Sequence, residues 1–346
     1  HYAGTVKLNL CSDASCTTAQ VVPSVSVPFA LDVISATSDR PGNHLTELSA
    51  WPGAPDWGTF QGNAAHTGHV PVTVDPNRFS TRWQIPGTLP EGTFYYRILG
   101  TVTTSNGRLY TAGNTTLHAR NEFDGNLAWE HDFSDLLFPS ANPPAVANDV
   151  VYIAAGQQSS TYMYGFNATT GAQIFRSPMS SQWEHYLAPT VGPRGVYTNA
   201  GEFGGLYAFD LSGIPLYTSS LSQTSTWTPA VDAAGVYTYT GGLLRVFDPL
   251  NGALLHSVAD PTFTNIVYQI GGSVVLGASD SVLVANYPNA LLNSGDFRNT
   301  LINFRLGSDS IAWQVPGVFP TTSAYASGVL YVASDIPLRL EARAET

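Results

Sequence analysis

Charge is scarce in this 346-residue chain. Asp, Glu, Lys and Arg make up 11% of it, and 14 basic residues face 25 acidic ones, a formal charge of −11. Such a surface repels nucleic-acid phosphate and anionic lipid, which removes both from the expected partners. Sulfur is scarce as well: there are two cysteines and two methionines, too few cysteines to complete a thiolate zinc site. No apolar run reaches the roughly 18 to 20 residues that a membrane-spanning helix needs, so membrane insertion is not expected. No secretory leader is visible, and the start at His1-Tyr-Ala-Gly without methionine reads as a mature or excised piece of a larger multidomain chain. Catalytic signatures are missing too. No Gly-x-Ser-x-Gly elbow, phosphate-binding loop, His-Glu-x-x-His helix or dinucleotide fingerprint occurs.

What the chain has in plenty is a repeated phrase: alternating apolar residues, a polar turn, a glycine, and an aromatic residue four positions later. The clearest copies are Leu117-His-Ala-Arg-Asn-Glu-Phe-Asp-Gly125-Asn-Leu-Ala-Trp129 and Tyr164-Gly-Phe-Asn-Ala-Thr-Thr-Gly171-Ala-Gln-Ile-Phe175. Tyr207 to Tyr217 and Leu244 to His256 repeat it, and Ile302 to Trp313 repeats it with Asp309 in the glycine slot. Upstream of each hairpin runs a second phrase, clearest in Pro144-Ala-Val with Val151-Tyr152, Pro189-Thr-Val with Val196-Tyr197, and Pro229-Ala-Val with Val236-Tyr237. Units of roughly 40 to 50 residues built from several short strands are the signature of a β-propeller. The expected fold is therefore all-β, a β-propeller of four-stranded blades, six by count. The last unit ends before its fourth strand, whereas Arg82-Trp83-Gln-Ile85 is an early strand without a blade. If that N-terminal strand completes the final blade, the ring closes and no sheet edge stays open. The other reading of these ends is a chain cut inside a longer protein.

This array, together with Trp57-Gly-Thr-Phe-Gln-Gly-Asn-Ala-Ala-His-Thr-Gly68 ahead of it, resembles the pyrroloquinoline-quinone-like (PQQ-like) repeat family of bacterial propellers over about residues 51 to 346. That family contains quinone-dependent dehydrogenases and also noncatalytic members such as the outer-membrane assembly lipoprotein. The resemblance therefore implies a fold and leaves catalysis open.

Residues 1–35 read differently. Gly4 to Leu10 and Val21 to Val33 alternate like strands, with Cys11-Ser-Asp-Ala-Ser-Cys16 between them, which looks like the tail of a bacterial immunoglobulin-like module. A cysteine pair at this spacing suits a small disulfide or a metal clip. With no further cysteine to complete a zinc site, a Cys11–Cys16 disulfide is the expectation, and it implies the periplasm, cell surface or exterior. Residues 36–55 are the expected linker and 56–346 the propeller.

Candidate chemistry is thin. His66 and His69 have metal-like spacing, but their place in the glycine-rich phrase before the first blade favours a loop role. His256 fills an aromatic slot and is expected to pack between sheets. Asp124, Asp210 and Asp248 fall in hairpin turns, where Asp caps nearby amides. Asp260 and Asp280 are the candidates for oxygen ligation of calcium, yet nothing in the linear sequence makes ligands converge.

Blade geometry is more informative. Loops entering the innermost strand and loops joining the second strand to the third emerge on one face, around the channel mouth. These loops carry Tyr95, Tyr96 and Arg97, then Trp183, Glu184, His185 and Tyr186, then Trp227 and Tyr325. The inserted segment 286–300 adds Tyr287, Phe297 and Arg298. Exposed rings beside hydrogen-bonding groups suit a protein segment or a sugar. The expectation is a noncatalytic binding scaffold of a secreted or cell-envelope protein, recognising a protein segment or glycan at the channel mouth, with no cofactor. The alternative is a quinone-dependent dehydrogenase or other carbohydrate-active enzyme, and only that alternative calls for pyrroloquinoline quinone (PQQ) and calcium.

Overall fold

The computed structural model describes residues 53–75, 81–85, 101–113, 115–181, 187–200, 204–222, 227–263, 273–278, 280–286, 299–335 and 338–346. For 2–8, 25–31, 159, 224–225, 269–270 and 335 it describes the backbone alone. Two compact units are present: one comprises His1–Ala54, Pro71–Tyr95 and Glu122–Asn126, the other Pro55–Val70, Tyr96–Asn121 and Leu127–Thr346.

In the first unit Tyr2–Leu8 pairs antiparallel with Val25–Leu31, Tyr2 opposite Leu31 and Leu8 opposite Val25. The same unit holds Trp83 against the turn Glu122–Asn126. The indole Nε1 donates to the Glu122 carbonyl at 2.8 Å, Arg82 Nε donates to Phe123 O at 2.6 Å, and the indole lies where a side chain on Gly125 would stand.

The second unit is all-β. Its described residues form five four-stranded antiparallel meanders, one of three strands, and a two-stranded parallel pair of Thr224–Ser225 with Gln269–Ile270. Sheet 1 runs Thr103–Ser105, Arg108–Gly113, Thr116–Asn121, Leu127–Asp132, and sheet 2 runs Ala145–Ala147, Val150–Ala155, Thr161–Asn167, Gln173–Met179. Sheet 3 is Thr190–Val191, Val196–Asn199, Gly205–Phe209, Pro215–Ser220; sheet 4 is Ala230–Val231, Val236–Thr240, Leu243–Phe247, Leu254–Ala259. Sheet 5 is Val275–Leu276, Ser281–Asn286, Asn299–Arg305, Ser310–Gly317, and sheet 6 is Ala324–Ala326, Val329–Asp335, Leu338–Ala344.

Burial explains the sequence pattern. The second strands of sheets 2 to 5 are buried on both faces almost throughout, so Val150-Val-Tyr-Ile-Ala-Ala155 reads as a continuous apolar run. The fourth strands alternate exposed and half-buried residues because one face meets water. Each hydrophobic core lies between consecutive sheets. Leu117 and Tyr110 of sheet 1 meet Val151 and Phe166 of sheet 2, Tyr152 and Met163 meet Val196 and Phe209, and Tyr197 and Leu206 meet Val236 and Phe247. Tyr237 and Leu244 then meet Ile302 and Phe304, and Leu283 and Leu301 meet Leu330 and Val332. These sheets pack face to face on alternating side chains.

The hairpin phrase has one geometry in every copy. The aromatic residue pairs across strands with a residue next to a register shift: Trp129 with Ala119, Phe175 with Gly165, Tyr217 with Ala208, His256 with Val246, Trp313 with Asn303. Trp129, Phe175 and Tyr217 each lie under the turn glycine of the next sheet, Gly171, Gly213 and Gly252. Gly171 has φ +72°, and a Cβ on it would stand 2.7 Å from the Trp129 indole, so position and neighbour both demand glycine. In sheet 5 the slot is filled by Asp309 at φ +45°, and its carboxylate meets His256 Nδ1 at 2.8 Å. His256 is thus a polar partner of Asp309 rather than an apolar packing residue. Trp129 and Trp313 are half-buried rather than fully enclosed, and each indole donates to a carbonyl of the next sheet, Ala168 O in a turn at 3.0 Å and Glu345 O just past the strand Leu338–Ala344 at 2.7 Å.

Candidate functional site

The first strands of all six sheets address one short stretch of chain, residues 57–68. Thr104 N donates to Trp57 O at 2.8 Å, Val146 N to Gly58 O at 2.7 Å, Val231 N to Ala64 O at 2.8 Å, Leu276 N to Ala65 O at 2.9 Å and Tyr325 N to Thr67 O at 2.7 Å. Sheet 3 is reached by side chains. Thr59 Oγ1 donates to Pro189 O at 2.8 Å, and His66 Nε2 meets Thr190 Oγ1 at 3.0 Å. The order of the main-chain contacts along the stretch follows the order of the sheets. A single turn of 3-10 helix, Phe60–Gly62, lets the stretch double back, with Gly62 at φ +83° against the Trp57 indole. Gln61 Nε2 also reaches Thr322 O and Ser323 O ahead of sheet 6.

His66 is the polar centre of this arrangement. It is fully buried, at φ +58°, with Nδ1 3.0 Å from Val274 O. A carbonyl only accepts, so Nδ1 carries the proton and Nε2 accepts from the Thr190 hydroxyl. Burial favours this neutral form and pulls the imidazole pKa down to about 4, against a smaller opposing effect of the Val274 carbonyl. Thr228 Oγ1 lies 3.3 Å from Thr190 Oγ1 and donates its own proton to Ala188 O at 2.8 Å. His69 is exposed, so the two histidines do not converge on a metal.

Beside this stretch lies a cavity of ≈ 260 Å³ whose lining includes Asp56, Gly58, Thr59, Asn63, Ser105 and Asn148. It sits at the ends of the first strands of sheets 1 to 3, on the side of their turns into the second strands. Asp56 Oδ2 accepts from Ser105 Oγ at 2.9 Å.

The carboxylates singled out in the sequence are consumed by local structure. Asp124 Oδ1 accepts from Asn126 N, Asp210 Oδ1 from Ser212 N and Ile214 N, and Asp248 Oδ1 from Leu250 N and Asn251 N. Asp260 is buried and takes four donors: Thr262 N and Oγ1 on Oδ1, Tyr239 OH and Asn286 Nδ2 on Oδ2. Burial, and then the hydrogen bond to Asp260, raises the Tyr239 pKa. Asn286 Oδ1 accepts from Thr300 N at 2.6 Å, so this network ties both roots of the inserted segment. Asp280 is held by Arg305 at 3.0 Å and by Gly307 N at 3.0 Å. Neither Asp260 nor Asp280 presents a free carboxylate to calcium.

Of the residues expected at the channel mouth, two are described, and neither is exposed. Trp227 is 1% exposed and packs with Tyr197, Leu206, Val231 and Val236 between sheets 3 and 4. The loop ahead of sheet 4 turns the indole inward, where its large apolar area is removed from water. Tyr325 is 9% exposed, its hydroxyl donating to Glu345 Oε2 at 2.6 Å. Both are packing residues rather than ligand contacts. Tyr95, Tyr96, Arg97, Trp183, Glu184, His185, Tyr186, Tyr287, Phe297 and Arg298 lie outside the described residues, as do Cys11 and Cys16. The role of 57–68 escaped sequence reasoning, although the phrase itself was conspicuous. Its glycines and alanines signal close backbone approach but not to what.

A family profile described as outer membrane protein assembly factor BamB matches residues 66–343. No curated protein matches the chain. Among solved structures, BamB from Moraxella catarrhalis is 16% identical, covering 68% of this chain and 68% of its own, at a TM-score of 0.47. The quinohemoprotein alcohol dehydrogenase ADHIIG from Pseudomonas putida HK5 is 14% identical over 70% of this chain and 57% of its own, with a TM-score of 0.51. That of Comamonas testosteroni is 11% identical over 81% and 57%, also at 0.51. The chain thus spans little more than half the length of either dehydrogenase, and at these identities the likeness is one of fold.

Proposed function

The chain belongs to the family of the outer membrane protein assembly factor BamB, and from that premise we propose that it is a noncatalytic binding platform of the bacterial envelope, acting on the periplasmic side, at the cell surface or after secretion. The observation that carries the reading is the filling of the space between the first strands by residues 57–68. A partner is thereby left to meet the ends and loops of the sheets. The proposed recognition surface is the set of loops that enter the first strands and join second to third strands, with Tyr95, Tyr96, Arg97, Trp183, Glu184, His185, Tyr186, Tyr287, Phe297 and Arg298 as contacts. Its partner is an extended protein segment or a glycan, and the protein works without a cofactor. Family membership favours a protein segment.

The proposed architecture is a ring of six blades closed by residues 80–87 as the fourth strand of sheet 6. Support comes from Trp83. It meets the turn Glu122–Asn126 as Trp129 meets the turn carrying Ala168 and Gly171, with an indole-to-carbonyl bond and a ring under glycine.

Replacing residues 287–298 by a short Gly-Ser turn tests the recognition surface. Thermal stability should hold, because Asp260, Asn286, Thr300 and Asn299, which is bonded twice to the Phe319 backbone, are kept, while binding to envelope proteins and glycans should fall by about tenfold or more. A stable variant with an unchanged binding profile sinks the role of this segment. Incubation with PQQ and calcium, followed by dye reduction over sugars and alcohols, should give no turnover; quinone-dependent turnover would overturn the platform reading.

A further inference from the structure

The stretch 57–68 is bonded to its surroundings as a peptide ligand is to a receptor. Five of its carbonyls, those of Trp57, Gly58, Ala64, Ala65 and Thr67, each accept one amide from a first strand. This is main-chain recognition, the chemistry by which extended peptides join sheets. Specificity comes from two further features. A Cβ on Gly58 would stand 2.7 Å from Val146 O, so a larger residue cannot approach sheet 2. His66 makes two buried hydrogen bonds on opposite sides of its ring, donating from Nδ1 to Val274 O and accepting at Nε2 from Thr190 Oγ1. Side chains at the remaining close approaches, Ala64 and Ala65, are small and pack against the cores of sheets 3 to 5.

We propose that the inner strands of the six sheets form a peptide-binding channel whose resident ligand is the chain's own stretch 57–68, held by recognition rather than by its covalent attachment. The channel selects glycine at the position of Gly58 and a neutral histidine eight residues later. This holds whether the outer loops bind a protein, a glycan or nothing.

The experiment uses the full chain with two protease sites, one at the exposed residues 53–54 and one within the mostly exposed residues 71–75, cleaved after folding. The freed peptide should stay bound through gel filtration. His66→Ala and Gly58→Val, introduced in the same chain, should each raise its dissociation rate by about tenfold or more, the loss expected for two buried hydrogen bonds or a forced displacement of strand backbone. Should either variant fail to fold, labelled synthetic peptides spanning 55–70 with the same changes are exchanged into the cleaved wild-type protein, where they should compete about tenfold more weakly than the parent sequence. Prompt loss of the wild-type peptide from a still-folded remainder overturns the proposal. So does equal retention, or equal competition, by all three sequences.

Discussion

His66 is a buried base that the fold keeps neutral, so its proton equilibrium is coupled to folding. The unfolded chain binds a proton at the ordinary imidazole value of 6.5, whereas the folded chain does so only near 4. Above pH 6.5 neither state is protonated and the group contributes no slope. As pH falls from 6.5 towards 4 the unfolded state gains a proton that the folded state refuses, so stability is lost on acidification, on the order of 3 kcal/mol across the window. His66→Asn tolerates the positive φ and does not titrate. It should lower the melting temperature at pH 7.5, yet fall less than wild type between pH 7.5 and 5. Parallel melting curves for the two proteins across that range would show that His66 is not the buried neutral group described here.

Hairpins are the elements that connect one sheet to the next. An aromatic ring on a fourth strand enters the following sheet beneath its turn glycine, and a tyrosine on the second strand points the same way: Tyr110 OH donates to Ala168 O, Tyr152 OH to Leu211 O and Tyr197 OH to Pro249 O. Ala168 O receives both Tyr110 and Trp129. Trp129→Ala should therefore cost about 3 kcal/mol, the low end for a large core truncation because the ring is half-buried, together with one lost hydrogen bond. Chemical denaturation measures it, and ligand binding by the loops should not change selectively. A cost below about 1 kcal/mol would mean that the ring does not couple the sheets.

At the scale of the whole molecule the proposed closure makes a specific demand. Sheet 6 buries Leu330 and Val332 against sheet 5, while Tyr331, Leu338 and Leu340 on it are exposed. Tyr331 is the member of the Leu-Tyr and Val-Tyr phrase that corresponds to Tyr110, Tyr152 and Tyr197, and the proposed fourth strand would join a sheet that has three strands among the described residues. Deleting residues 80–87 should lower the melting temperature of the entire second unit by about 5 °C or more in a single transition, rather than fray one end. An unchanged melting temperature would remove the clasp.

The sequence by itself determined the class of fold, the hairpin phase and the turn chemistry. These are local: alternation of apolar residues, Asp or Asn capping a tight turn, and glycine at positive φ all act over a few residues, so Trp129, Gly171 and Asp248 could be placed from spacing alone. The exception is legible only in part: Asp309 stands out in a glycine slot, but its partner His256 reads as a residue packed between sheets. Only the tertiary structure decided which conspicuous residues are buried. Trp227 and Tyr325 look like a binding surface in the chain and are packing residues in the fold, since loop direction rather than residue type sets their exposure. It also gave residues 57–68 their meaning. A backbone carbonyl carries no sequence signature, and five sheets far apart in the chain converge on that stretch through main-chain bonds, and sheet 3 through side chains, that no spacing rule records.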